Sequence, residues 1–497
     1  MRYISTRDNF SSVPPAEAIR LGMVPEDGLF VPESVPKVSL EGFAGAAYQD
    51  AARRIMTPLL SDFKAPELDR CLRRAYNPET FDTPSVVELH PLEGRRHILE
   101  LWHGPTAAFK DVALQIMPHF LADAKAKSGD RSHTLILVAT SGDTGKAALE
   151  GFKNAAGISI IVFYPHGGVS EIQMLQMTTT DGANTHVAAV KGNFDDCQAG
   201  VKALFGDAGL RDGLAGRSIV FSSANSINWG RLCPQIVYYF YAYFGLVGQG
   251  AIRTGGEVDF CVPTGNFGNI LAGYYAREMG LPIRKLVCAS NRNHILTDFF
   301  RTGVYDTNRE FHKTSSPSMD ILVSSNLERF LFEVTGHDAG RVRGWFEQLK
   351  RTGRFEVDGA ARRAMAGLIV PGWADEPRVF AVIGETFRKR GYVLDTHTAV
   401  AVAVSEEAGA AGDGPPMIIA STANPYKFSG DVLAAISGER PDDEFRSIER
   451  LRELTGLPVH RAVRGLREKL VRHRKVIEIS GMREAVLEIA DGIGAAH

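Results

Sequence analysis

From about residue 95 to about residue 430, short apolar runs alternate with stretches whose apolar positions recur every three or four residues. "SHTLILVAT" passes through the loop "SGDTG" into the helical "KAALEGFKNAA", and then into "ISIIVFYP", which is apolar almost throughout. A strand apolar on both faces is covered on both faces, the condition of a parallel strand flanked by helices. The unit recurs where "EVDFCVP" leads through "TGNFGN" to the helix "ILAGYYAREMG" and the strand "IRKLVCAS", and "PMIIA" is a late short strand that stops at "STANPYKFSG". This order predicts an α/β fold of two wound, mostly parallel-sheet subdomains.

The flanks read differently. The first 80 or so residues mix turn signals such as "PEDG" and "VPESVP" with the helical "AAYQDAARRIMTPLL", as in a small cap. Residues 290–415 are mixed, with one helical tract "NLERFLFEVTG", and suggest an insertion or peripheral layer. From residue 438, "GERPDDEFRSIERLRELTG" is charged and amphipathic, which predicts surface helices. At 497 residues the chain exceeds what one core usually serves. The expected division is an N-terminal cap (1–92), a smaller α/β subdomain (93–235), a larger one with an insertion (236–437) and a C-terminal helical region (438–497).

Composition narrows the class. A formal net charge of -2 gives no reason to expect nucleic acid or an acidic membrane surface as partner. No apolar stretch approaches membrane-spanning length and the start lacks a signal-peptide run, so a cytoplasmic protein is expected. The five cysteines are far apart and the 14 histidines lack ligand spacing, which argues against a disulfide framework and against a metal.

The candidate chemistry starts at "LWHGPTAAFKDVALQ", where Lys110 stands among small and apolar residues. An unpaired ammonium is normally left in water, so Lys110 either snorkels out or is buried for chemistry. "SGDTG" (Ser141, Gly142, Asp143, Thr144, Gly145) and "GNFGN" (Gly265, Asn266, Phe267, Gly268, Asn269) each follow a strand and open a helix, where free N–H groups favour an anion. In "SSANSINWGR", Arg231 offers a planar fork for phosphate or carboxylate. "TGK" at 144–146 invites a nucleotide reading, but the glycine spacing and Ala147 do not fit a P-loop. Together these groups suggest a site for more than one anion.

"HGPTAAFKD", "TSGDTG", "SSANSINWGR", "PTGNFGNILAGYYA", "SMDILVSSNLERFLF" and "STANPYKF" follow one another as in the longer bacterial and fungal threonine synthases, and "RYISTRDNF" and "DGLFVPESVP" resemble that family's opening. The resemblance spans residues 2–430 and implies the fold type II of pyridoxal-phosphate enzymes, with O-phospho-L-homoserine as substrate and threonine and phosphate as products. It implies that Lys110 bonds to pyridoxal 5'-phosphate and is the catalytic base, that Gly265, Asn266, Phe267 and Asn269 hold the cofactor phosphate, and that Thr422 faces the ring nitrogen. By the same resemblance, Asn225, Ser226, Asn228 and Arg231 are expected at the substrate phosphate, and Ser141, Asp143 and Thr144 elsewhere on the substrate. Asp143 stands where related enzymes often have Asn, and "DTHTA" (395–399) where Asp-Pro-His-Thr-Ala is usual. A phospho-lyase or dehydratase releasing 2-oxobutyrate, and a phosphate- or nucleotide-binding module, remain open alternatives; a monomer or homodimer is expected.

Overall fold

A computed structural model of the chain describes residues 1–25, 27–409 and 414–494. Two sheets carry the architecture. In the larger, the strands lie in the order Ile369–Trp373, Ile283–Ser290, Val258–Pro263, Met417–Ser421, Arg96–Glu100 and Glu88–Pro91. All neighbours pair in parallel except the last two, which are antiparallel. In the smaller sheet the order is Lys475–Glu478, Thr185–Lys191, Ile158–Pro165, His133–Ala139 and Ile219–Ser222, parallel throughout. "ISIIVFYP" is its central strand and is buried at every position, as its apolar pattern requires.

Separate apolar clusters cover the two faces of the smaller sheet. The larger sheet shares one core with the N-terminal segment, in which Tyr3, Tyr48, Ile55 and Leu72 join Tyr239, Phe260 and Ile270. The helix Trp229–Gly248 runs through that core and is buried on nearly all sides, which accounts for its largely apolar sequence. Among the described residues no helix is long and apolar enough to cross a membrane.

Four placements differ from the sequence-based division. Strand Arg96–Glu100 belongs to the larger sheet, so the two subdomains do not part at residue 93. The N-terminal segment shares a core instead of forming its own. The 290–415 stretch supplies the edge strand Ile369–Trp373, whose Pro371 and Gly372 argue against a strand unless it lies at an edge, where it does lie. The C-terminal region adds, besides helices, the strand Lys475–Glu478 beside Thr185–Lys191.

Candidate active site

Lys110 opens the short helix Lys110–Leu114 and is only 8% exposed. Its Nζ lies 3.4 Å from Asp143 Oδ2 and 3.2 Å from Ser318 Oγ. Burial pulls the ammonium down to about 8; Asp143 opposes the shift, while the positive charges of Arg231 and Lys427 add to it. Neutral amine is therefore available near neutrality, which a solvated lysine does not provide.

Asp143 is the hub. The helix expected to begin at Lys146 begins at Asp143 instead, placing the carboxylate in the first turn, where the helix dipole favours it. Oδ1 takes the Lys427 ammonium at 2.7 Å and a hydrogen bond from Gln173 Nε2 at 3.1 Å, and Oδ2 accepts from Ser318 Oγ at 3.2 Å. Burial alone would raise its pKa, but Lys427 and Lys110 hold it well below the usual carboxylate range. The preceding turn allows only glycine at 142: its φ is +134°, and a Cβ would come 2.4 Å from the Gln173 amide.

The loop leading to Lys110 is fixed from behind. Thr106 donates its N–H (2.8 Å) and hydroxyl (2.7 Å) to Asp111, and Lys427 Nζ donates to Thr106 O at 3.0 Å. Burial raises the Asp111 pKa to about 6. Phe109 N–H donates to Thr422 O at 2.9 Å, so Thr422 is held one residue from the lysine's own backbone.

Across from this cluster, a Cβ at Gly265 would lie 2.9 Å from Ser318 O, so the turn closes only around glycine. Ser324 Oγ donates to Gly265 O at 2.8 Å, and Asn326 Nδ2 to Asn266 O at 3.1 Å. Phe267 adopts the left-handed region (φ 61°) to start the helix Gly268–Glu278, its ring packed on Phe300 and Phe330. Asn269 Oδ1 accepts from the Tyr238 and Tyr239 hydroxyls at 2.6 and 2.8 Å, and its buried Nδ2 has no partner among the described residues. The 222–231 loop adjoins: a Cβ on Gly268 would be 3.6 Å from Ser226 Cβ.

Arg231 is buried and donates to Ala224 O at 2.8 Å; among the described residues it pairs with no carboxylate. Burial lowers its pKa to about 10, which still leaves it charged. An uncompensated buried guanidinium calls for an anion. Asn225, Ser226, Ser141 and Thr144 are partly exposed around it and around Asp143's helix start. Asn228 is fully buried and caps the helix Trp229–Gly248 by accepting from Gly230 N–H at 2.8 Å, while Nδ2 donates to Ile19 O and Ser223 O.

Four residues given no role by the sequence complete the cluster: Lys427, Ser318, Gln173 and His397, whose Nε2 accepts from Ser318 N–H at 3.2 Å. Lys427 carries the signal that singled out Lys110, a lysine between apolar neighbours, Tyr426 and Phe428. Nothing in the sequence marks Gln173.

Pyridoxal phosphate requires an amine for its aldehyde, donors for its phosphate and a partner for its ring nitrogen. Lys110 with its lowered pKa, the glycine-lined turn with the Asn269 amide, and Thr422 would supply these, so the residues fit the group. The family profile described as "Pyridoxal-phosphate dependent enzyme" matches residues 83–421, flanked by "Threonine synthase N terminus" at 2–76 and "Threonine synthase, C-terminal" at 398–477. The chain is 41% identical to threonine synthase of Pseudomonas aeruginosa over 89% of this chain and 92% of that protein. It is also 41% identical to human threonine synthase-like 1, of whose length it spans 58%. The crystal structure of pyridoxal-phosphate-bound threonine synthase from Brucella melitensis, 36% identical, superposes with a TM-score of 0.87 over 99% of both chains. On this sequence match and fold, the chain belongs to the threonine synthase family of pyridoxal-phosphate-dependent enzymes.

Proposed function

We propose that the chain converts O-phospho-L-homoserine and water into L-threonine and phosphate, with pyridoxal phosphate carried on Lys110 and held by Gly265, Asn266, Phe267, Asn269 and Thr422. The observation that carries this reading is a lysine with a pKa near 8 sharing one buried site with an arginine that has no acidic partner among the described residues. When bound, the cofactor supplies an aldehyde for amines and a ring that withdraws electrons from the substrate Cα.

The protein's part is proton handling and anion binding. Neutral Lys110 Nζ removes the Cα proton, and Asp143 Oδ2 with Ser318 Oγ holds the resulting ammonium where it can return that proton to a neighbouring carbon. Lys427 and Gln173 keep the Asp143 carboxylate from turning away. Arg231, with Asn225 and Ser226, binds the substrate phosphate and stabilises it as it leaves Cγ with growing charge. The loop carrying Ser141 and Thr144 binds the substrate at the start of Asp143's helix. Thr422 offers the ring nitrogen a neutral hydroxyl instead of a carboxylate.

Incubation of the purified holoenzyme with O-phosphohomoserine, read by phosphate release and mass spectrometry of the amino-acid product, tests the proposal. Threonine and phosphate in equal amounts are expected. Phosphate with 2-oxobutyrate in place of threonine would assign the chain to the lyase alternative, and no phosphate release would overturn the substrate assignment.

A further inference from the structure

A cavity of about 190 Å³ lies outside the catalytic cluster, lined by Pro105, Lys146, Glu150, Gln176, Arg461 and Lys469 among others. It forms where the C-terminal segment crosses the smaller subdomain: Gln176 Nε2 donates to Ala462 O at 3.1 Å, and Arg461 donates to the carbonyls of Glu79 and Thr80. At about 30 Å³ for each water in the liquid, its volume matches about six waters or a metabolite of about eight non-hydrogen atoms.

Three cations face one carboxylate in this wall. Lys146 is matched by Glu150 at 2.8 Å. Arg461 and Lys469 pair with no carboxylate among the described residues, so the wall carries two uncompensated positive charges. Two lining residues also keep a buried polar atom without a protein partner among the described residues: Arg461 its Nε, and Gln176, itself 1% exposed, its Oε1. The first is a donor and the second an acceptor.

A bare oxyanion answers only half of this wall, because the Gln176 carbonyl and the Glu150 carboxylate repel an all-acceptor ligand. The geometry points to a regulatory site for a small α-amino acid, its carboxylate taken by Lys469 and Arg461 and its ammonium by Gln176 and Glu150. Such a ligand joins opposite charges on adjacent carbons, and the wall presents both complements.

An occupant bears on both elements that set Lys110. Lys146 and Glu150 lie three and seven residues beyond Asp143 in the helix Asp143–Phe152, and so on the same helix face. Pro105 precedes Thr106, which holds Asp111 and accepts from Lys427. Ligand binding that shifts either element changes the surroundings of the catalytic amine, the requirement for coupling between two sites.

Calorimetric titration of L-serine, L-threonine and L-aspartate tests the proposal, with enzyme first treated with borohydride so that the catalytic site no longer exchanges amines. At least one of the three is expected to bind saturably, with acetate and inorganic phosphate at least tenfold weaker. Lys469→Glu should weaken that binding at least tenfold and Gln176→Leu at least threefold. No saturable binding by any of the three, binding unchanged in both variants, or phosphate binding as tightly as the amino acids would each overturn it.

Discussion

Replacing Lys427 by methionine removes the cation that holds Asp143 at 2.7 Å while nearly preserving side-chain length. In the wild type, Lys427 and Lys110 sit on the two oxygens of one buried carboxylate, at 2.7 and 3.4 Å. Taking their ammonium groups as about 6–8 Å apart, and an effective dielectric of about 20, the mutual repulsion is about 2–3 kcal/mol. Removing it raises the Lys110 pKa by about 1.5–2 units, from about 8 towards 10. At pH 7.5 the neutral fraction of Lys110 then falls from about a quarter to between about one in a hundred and one in three hundred. The assay is the rate at which apoenzyme captures pyridoxal phosphate covalently, followed by absorbance from pH 6.5 to 10.5. The wild-type profile should have its midpoint near 8; that of Lys427→Met should lie about 1.5–2 units higher, with capture about 25- to 75-fold slower at pH 7.5 and nearly equal rates at the alkaline end. Lys427→Arg keeps the charge and should keep the midpoint. Loss of one partner of a buried pair also costs about 3–5 kcal/mol, so folding of each variant is checked by circular dichroism. A folded Lys427→Met enzyme with the wild-type midpoint would refute the electrostatic reasoning.

Arg231→Ala should raise KM for O-phosphohomoserine at least tenfold and leave the absorbance of the lysine-bound cofactor unchanged, as steady-state kinetics and a spectrum will show. Gly104→Ala places a Cβ 2.3 Å from that of Asp111; thermal melting should report a loss of about 1–3 kcal/mol, with slower capture of the cofactor. Burial opposes protonation of His103, but hydrogen bonds to Asp82 (2.7 Å) and Glu100 (3.1 Å) outweigh it and raise its pKa to about 9. Its stabilisation is therefore full below about pH 6.5 and lost as pH rises through 9, so the melting-temperature gap between wild type and His103→Gln should shrink across that window.

The strands and the two helix-opening loops are legible because their patterns are local: an apolar run ending at a glycine turn reads the same in any context. "ISIIVFYP" and "TGNFGN" are such cases. Strand Ile369–Trp373 is not legible, since Pro371 and Gly372 oppose it locally and only its edge position permits it. Nor is the sheet to which Arg96–Glu100 belongs, because pairing with Met417–Ser421 joins residues more than 300 apart in the chain. In the site, Lys110 and Arg231 stand out as cations among apolar neighbours. Gln173 and Ser318 do not, because their importance comes only from lying beside Asp143 in space. Asn228 carries both signals: its place in a recognisable motif suggests ligand binding, and its hydrogen bonds are those of a helix cap.

The central claim is that Lys110 is the amine that carries the cofactor, and the cluster itself provides the control, because Lys427 shares the Asp143 carboxylate and Lys146 lies one helical turn from it. Borohydride treatment of the holoenzyme followed by tryptic digestion and mass spectrometry locates the reduced cofactor on a single residue. The expected result is the adduct on Lys110 alone, absent from Lys110→Ala. An adduct on Lys427 or Lys146 in the wild-type enzyme, or none on any lysine, would contradict it.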